Sequence, residues 1–134
     1  MIARDGEGAT KLVEIAVKGA KTESEALQCA RAVANSNLVK TAINGEDANW
    51  GRIMAAVGYS GIDFIPENVE LWFNEVPVLE KNYVIVMDEA EAKAVFALEN
   101  ITITINLNQG NESACFWTCD LSKEYVNINA SYRS

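Results

Sequence analysis

One stretch of strict alternation between apolar and polar residues constrains the fold of this chain most strongly. The stretch covers seven positions, Ile101, Thr102, Ile103, Thr104, Ile105, Asn106 and Leu107. A period of two residues is that of a β-strand with one face in a core and the other face polar. The pattern therefore predicts a strand that contributes one apolar face to the core of the domain.

Two capping patterns predict helices beside this strand. Thr22 is followed three residues later by Glu25, and Asp88 is followed three residues later by Glu91. This spacing is the N-terminal signature of a helix, because the side chain of each residue of the pair can accept a hydrogen bond from the backbone N–H group of the other. A third, shorter helix is predicted over 53–57, and Gly58, directly after it, is expected to end it.

Further strands complete the predicted sheet, and a proline is expected to break the chain between two of them. The predicted strands are 13–17, 69–73, 83–87, 113–119 and a last short one at 125–128, with the break at Pro77. This order of elements predicts an α+β fold in which helices pack on one mixed or antiparallel sheet. No repeat or linker interrupts the sequence, so we expect residues 1–134 to form a single domain.

The charge balance excludes two classes of partner. The chain has 11 Lys+Arg against 19 Asp+Glu, a formal net charge of −8, which argues against binding to nucleic acid or to an anionic membrane surface. The longest apolar stretches, such as Val84 to Met87, are far shorter than the ~20 residues of a membrane span. The N-terminus has no apolar run of signal-peptide length, so we expect a cytoplasmic protein.

The chain contains no histidine, which excludes Ser-His-Asp and Cys-His mechanisms and zinc sites with imidazole ligands. Its three cysteines, Cys29, Cys115 and Cys119, form no CxxC pair and are expected to be reduced, buried, structural thiols. On one strand, Cys115 and Cys119 would share a face at a separation of roughly 13 Å, too far for a disulfide or a shared metal. We therefore expect no metal and no cofactor.

Two segments could contact a small polar ligand. Glu7 lies between Gly6 and Gly8, which allow close backbone approach, and its carboxylate could hold an ammonium group. On the residues alone, a tight turn with a solvated glutamate is the favoured interpretation. The last ten residues, 125–134, are rich in aromatic and hydrogen-bonding side chains up to the final serine. Because chain ends are usually frayed, we expect this tail to dock into another surface.

Five ordered blocks then carry a family resemblance. They are RDGEGATK at 4–11, LVKTA at 38–42, NWGRI at 49–53, CDL at 119–121 and YVNINASYRS at 125–134. Together they resemble the ornithine acetyltransferase family, the bifunctional glutamate N-acetyltransferases of arginine biosynthesis, in the C-terminal part of the β chain. Asn37 and Ala48 stand where that family often has proline, and Ser134, where it often has threonine, keeps the hydroxyl.

The resemblance implies an enzyme that moves an acetyl group from N-acetylornithine to glutamate. Members of the family cut themselves before a threonine, which becomes the acyl-carrying nucleophile. Thr10, the first threonine here, does not match that motif, so no catalytic residue is expected in this chain and the isolated chain is expected to be inactive. The implied partners are the missing α chain and the N-terminal part of the β chain, in a hetero-oligomer.

The resemblance also assigns substrate-binding residues. Glu7 matches the substrate-binding glutamate of the glycine block, and Asn129 and Ser134 match the last two substrate-binding positions. We expect Glu7 to bind a substrate amine, and Asn129 and Ser134 to bind a carboxylate or amide. The alternative hypothesis is a stand-alone, non-catalytic binding or structural domain that keeps only the fold.

Overall fold

A six-stranded mixed sheet is the framework of the structure, a computed structural model that describes residues 11–120. The strands lie in the order β4-β3-β2-β5-β1-β6, with β1 and β5 parallel and all other neighbours antiparallel. The predicted α+β fold with one mixed or antiparallel sheet is confirmed, and the sheet is mixed. The strand bounds are β1 Lys11–Ala20, β2 Glu70–Phe73, β3 Val76–Glu80, β4 Val84–Ile85, β5 Asn100–Asn106 and β6 Glu112–Asp120.

Four α-helices occur between residues 11 and 120, together with one short 3₁₀ helix. Their bounds are α1 Glu23–Ala34, α2 Asn37–Asn44, α3 Trp50–Gly58, α4 Glu89–Phe96 and the 3₁₀ helix Pro66–Asn68. None of the helices in this part of the chain is long and apolar enough to cross a membrane.

The predicted helix starts are confirmed by side-chain caps. Thr22 Oγ1 accepts a hydrogen bond from the backbone N–H of Glu25 at 3.0 Å, and Asp88 Oδ1 accepts one from the backbone N–H of Glu91 at 3.0 Å. Each bond satisfies one of the N–H groups that a helix leaves unpaired in its first turn. The capping patterns therefore fix where α1 and α4 begin.

The core lies between the helices and one face of the sheet. Ile15 of β1 pairs with Ile103 of β5, which in turn pairs with Phe73 of β2, and all three side chains are fully buried. The ring of Phe96, at the end of α4, contacts Phe73 edge-to-face with centroids 4.9 Å apart. The alternation in residues 101–107 therefore identified the centre of the core.

Two details differ from the sequence predictions. Pro77 does not break the chain, because it lies inside β3 opposite Trp72, where the register between β2 and β3 shifts; a bulge of this kind tolerates a residue without an N–H donor. The separate helix α2 was also missed. It begins because the Ser36 hydroxyl accepts a hydrogen bond from the N–H of Val39 at 3.2 Å.

The three cysteines are free thiols, and their burial differs. Cys29 is buried on α1, as expected. The expectation of burial was wrong for Cys119, which is exposed, and Cys115 is only partly buried. Both lie on β6 beside Leu12 and Ala16 of β1, on the face of the sheet that points away from the core. The predicted strand at 125–128 lies outside the described residues.

Candidate functional site

The two segments that carry the predicted site residues join the sheet at the same place. Lys11, the first residue of β1, pairs with Asp120, the last residue of β6. Residues 1–10 precede Lys11 and residues 121–134 follow Asp120. Glu7, Asn129 and Ser134 belong to these two segments, outside the described residues, and their assignment stays a prediction.

Lys11 fixes the start of β1 against two neighbouring loops. Its ammonium Nζ donates a hydrogen bond to the Leu98 carbonyl at 2.9 Å and lies 3.4 Å from Glu46 Oε2. The backbone N–H of Leu12 donates to the Glu99 carbonyl at 2.8 Å. The Lys11 side chain is only 16% exposed, so these contacts hold its ammonium group in one position. The position of Lys11 at the start of β1 is therefore fixed.

A cleft of about 600 Å³ opens at this end of the sheet, beside the start of β5. Asn74 forms part of its wall, where its backbone N–H donates to the Thr102 carbonyl at 2.7 Å and its Oδ1 accepts from the Thr102 N–H at 2.7 Å. Asn74 has a φ of +52°, which asparagine tolerates better than most residues. The residues that line the cleft are Asn74, Glu75, Val76, Val95, Asn100 and Thr102. The cleft is therefore lined by both polar and apolar side chains, and paired hydrogen bonds hold one of its walls.

A second hollow of about 380 Å³ lies at the same end, between the loop after α2 and the start of α4. Three carboxylates line it, from Glu46, Asp47 and Glu89, together with the ammonium group of Lys93. The ammonium group of Lys11 pairs with Glu46 beside the hollow. Carboxylates therefore outnumber ammonium groups here by three to two, an excess of one negative charge that attracts a cation.

Two of the three described thiols, those of Cys29 and Cys115, are not activated nucleophiles. Burial raises the pKa of Cys29 to about 12. Burial also raises the pKa of the Cys115 thiol, and a hydrogen bond to the Glu14 carboxylate and its negative charge raise it further. Since the thiolate is the reactive form, neither group is an activated nucleophile at neutral pH. Residues 11–120 also contain no cluster of three or more His, Cys, Asp or Glu side chains that could hold a metal ion.

Some features of this end of the sheet could not be anticipated. The role of Asn74 depends on the pairing of β2 with β5 across 28 residues, and no local pattern around it indicates that contact. The anchoring of Lys11 had a weak signal, since Lys11 is the last residue of the first sequence block that resembles the family. Its partners, Leu98 and Glu46, could not be read from sequence.

Comparisons with known proteins identify the family to which this α+β domain with its six-stranded mixed sheet belongs. The model of the ArgJ family matches residues 1–134. The chain therefore belongs to the ArgJ family, and the resemblance stated from the five sequence blocks is confirmed.

The similar proteins agree on this family. The chain is 58% identical over 134 residues to the arginine biosynthesis bifunctional protein ArgJ of Chlorobium chlorochromatii, covering 100% of this chain and 31% of that protein. It is 51% identical over 133 residues to the ArgJ protein of Symbiobacterium thermophilum, covering 99% and 33%. The crystal structure of the Bacillus halodurans ArgJ protein superimposes with a TM-score of 0.84 at 45% identity, covering 98% of this chain and 62% of that chain. The chain thus spans about a third of the length of these curated relatives.

Proposed function

We propose that this chain is one part of a glutamate N-acetyltransferase, which transfers an acetyl group from N-acetylornithine to glutamate in arginine biosynthesis. The observation that carries the proposal is the family match, which extends over all 134 residues and reaches 58% identity. The relatives named arginine biosynthesis bifunctional protein ArgJ are about three times as long as this chain. The chain therefore supplies a substrate-binding domain to a larger enzyme.

Glu7, Asn129 and Ser134 are the proposed substrate-binding residues. Covalent geometry alone keeps the Cα atom of Glu7 within about 14 Å of that of Lys11, because only four Cα-to-Cα steps join them. Residues 121–134 start at Asp120, the partner of Lys11 across β1 and β6. The excess of carboxylates over ammonium groups in the hollow at this end of the sheet supports recognition of an amine-bearing substrate.

The rest of the enzyme supplies the chemistry. Neither Cys29 nor Cys115 is an activated nucleophile, and the acyl-carrying threonine of the family has no counterpart among the matched blocks. We therefore propose that the missing α chain and the N-terminal part of the β chain assemble with this domain into a hetero-oligomer, without a cofactor. The three free cysteines support a cytoplasmic setting. Alone, the 134-residue chain is expected to form no N-acetylglutamate.

The test uses a complete enzyme in which this chain replaces the matching third of the Chlorobium chlorochromatii protein. Glu7→Gln removes a charge at nearly constant shape, and a second variant deletes Asn129 to Ser134. Each lost hydrogen bond to a bound polar substrate is expected to lower kcat/KM by about 10- to 100-fold. Glu112→Gln is the matched control, because Glu112 is exposed and pairs with Ala20 at the opposite end of the sheet.

The alternative is a domain that has lost the catalytic role and keeps only the fold. It forecasts that deletion of the tail lowers the melting temperature while the steady-state constants of the remaining enzyme stay unchanged. Wild-type kinetic constants in Glu7→Gln would contradict the site assignment. A complete chimera without acetyl transfer would contradict the proposed function itself.

A further inference from the structure

Four consecutive apolar side chains are exposed at one edge of the sheet. Tyr83, Val84, Ile85 and Val86, which we call the apolar strip, are each 38–55% exposed. In an edge strand with one covered face, alternate side chains would be buried. Here no alternation is seen, so residues 11–120 leave both sides of β4 partly open. Contiguous exposed apolar residues of this kind mark interaction surfaces.

The strip also lies on an open edge of the sheet. β4 is the outermost strand and pairs only with β3, through Leu79 opposite Ile85 and Glu80 opposite Val84. The outer edge of β4 pairs with no other strand in the described part of the chain. A free edge with apolar side chains is a template for pairing with another extended segment, and proteins normally cover or charge such an edge.

The turn that leads into the strip is held in a strained conformation. Tyr83 has a φ of +60° and Asn82 a φ of +67°, and this region is uncommon for a bulky aromatic residue. The N–H of Asn82 donates to the Glu67 carbonyl at 2.6 Å, and the N–H of Val86 donates to the Val78 carbonyl at 3.0 Å. These bonds fix the backbone at both ends of the strip, so the surface is preformed.

The charges that flank the strip indicate the chemistry of its partner. The side that follows the strip is acidic, with Asp88, Glu89 and Glu91 before the first base, Lys93, whereas Glu80 and Lys81 balance each other on the side that precedes it. A complementary partner has apolar side chains and a basic flank opposite the acidic side.

We propose that the apolar strip docks the part of the ArgJ polypeptide that this chain lacks, through an extended apolar segment with one basic flank. The choice of occupant follows from length, because the chain spans about a third of its relatives. The acidic side that follows the strip accounts for the basic flank. The proposal rests on the proposed function only in taking the rest of the ArgJ polypeptide as the partner.

Coexpression tests this surface without measuring acetyl transfer. The tagged 134-residue chain is coexpressed with the remaining two thirds of the Chlorobium chlorochromatii polypeptide, and the complex is recovered by affinity and size-exclusion chromatography. The wild-type chain is expected to recover the partner at equal stoichiometry. Hydrogen exchange of the peptide covering 82–87 is expected to slow in the complex. The double variant Val84→Lys with Ile85→Lys is expected to reduce recovery at least tenfold.

A matched control separates loss of docking from a general effect of added charge. Leu38 and Tyr59 are exposed apolar residues outside the strip, at 59% and 89% exposure, and the double variant Leu38→Lys with Tyr59→Lys is expected to recover the partner as the wild type does. A second variant pair, Val84→Thr with Ile85→Thr, keeps the β-branched shape that strands favour. It is expected to give an intermediate loss of recovery with unchanged secondary structure by circular dichroism.

Three results would overturn the proposal. The first is equal recovery of the partner by the strip and control variants, and the second is failure of the wild-type chain to recover the partner. The third is a homodimer of the wild-type chain that the strip variants convert to a monomer. A complex that forms through the strip but lacks acetyl transfer would contradict the proposed function and leave this surface intact. An active chimera in which hydrogen exchange of residues 82–87 is as fast as in the isolated chain would support the proposed function and contradict the proposed docking surface.

Discussion

Two apolar strands of the same sheet have opposite environments. Ile103, in β5, is fully buried, whereas Ile85, in β4, is 55% exposed. The segment around Ile103 is rich in isoleucine and threonine, and the segment around Ile85 is rich in valine. Both are predicted as strands from sequence. The difference shows that position in the sheet, rather than hydrophobicity of the residue, decides which apolar side chains enter the core.

The physical reason is the number of neighbours. β5 lies between β1 and β2, so Ile103 has Ile15 on one side and Phe73 on the other. β4 has only β3 beside it, and its other edge pairs with no strand among residues 11–120. An isolated edge strand gains little burial from its own sheet, and it becomes a stable part of a core only when another segment covers it.

The largest expected effect comes from making the same substitution in both strands. Ile103→Ala removes a fully buried side chain and leaves a cavity, so the free energy of unfolding is expected to fall by about 2–5 kcal/mol. Ile85→Ala, the matched control, is expected to change it by no more than about 0.5 kcal/mol in this chain. Urea denaturation followed by circular dichroism measures both. Equal losses in the two variants would show that β4 is already buried and would break the comparison.

Much of the fold was predictable because it depends on local patterns. The alternation around Ile103 identified the central strand, and the side chains of Thr22 and Asp88 identified two helix starts that the structure confirms. The effect of Pro77 could not be predicted, because it depends on a register shift between β2 and β3. The parallel pairing of β1 with β5 joins residues almost 90 positions apart, and no local signal specifies it.

The candidate site was predictable only through the family resemblance. Glycines around Glu7 favoured an ordinary turn, and the polar tail with Asn129 and Ser134 indicated only a docking segment. The strip at residues 83–86 did have a sequence signal, since its residues are consecutively apolar and do not alternate. That signal cannot distinguish a fully buried central strand from an exposed edge strand, and only the strand order resolves the two.

A second, smaller effect uses the ionisation of Cys29 to sharpen the contrast between buried and exposed positions. Its pKa is about 12 in the folded chain, against an ordinary value of 9.0, so the unfolded chain loses this proton first as the pH rises. Stability is then fully present below pH 9 and falls by about 1.4 kcal/mol per pH unit between pH 9 and pH 12.

Urea denaturation at pH 8, 9 and 10 measures this dependence. Cys29→Ala is expected to reduce the slope above pH 9, while Cys119→Ala, which removes an exposed thiol, serves as the control and is expected to keep the wild-type slope. An unchanged slope in Cys29→Ala would show that another group causes the alkaline loss.

The smallest expected effect tests whether the exposed strip and the core unfold together. Asp88 follows the strip by two residues and caps α4, the helix that brings the ring of Phe96 onto Phe73. Asp88→Ala removes the cap and is expected to lower the global free energy of unfolding by about 1 kcal/mol, whereas Asp88→Asn keeps an acceptor and is expected to stay near the wild type. Thr22→Ala removes the corresponding cap of α1, far from the strip, and is expected to have a similar global effect.

If Asp88→Ala accelerates hydrogen exchange only between residues 83 and 96 while urea denaturation is unchanged, the strip and α4 open as a separate unit. Because Phe96 is buried in the same cluster as Ile103, we expect the global outcome, in which the exposed strip is attached to the core through α4.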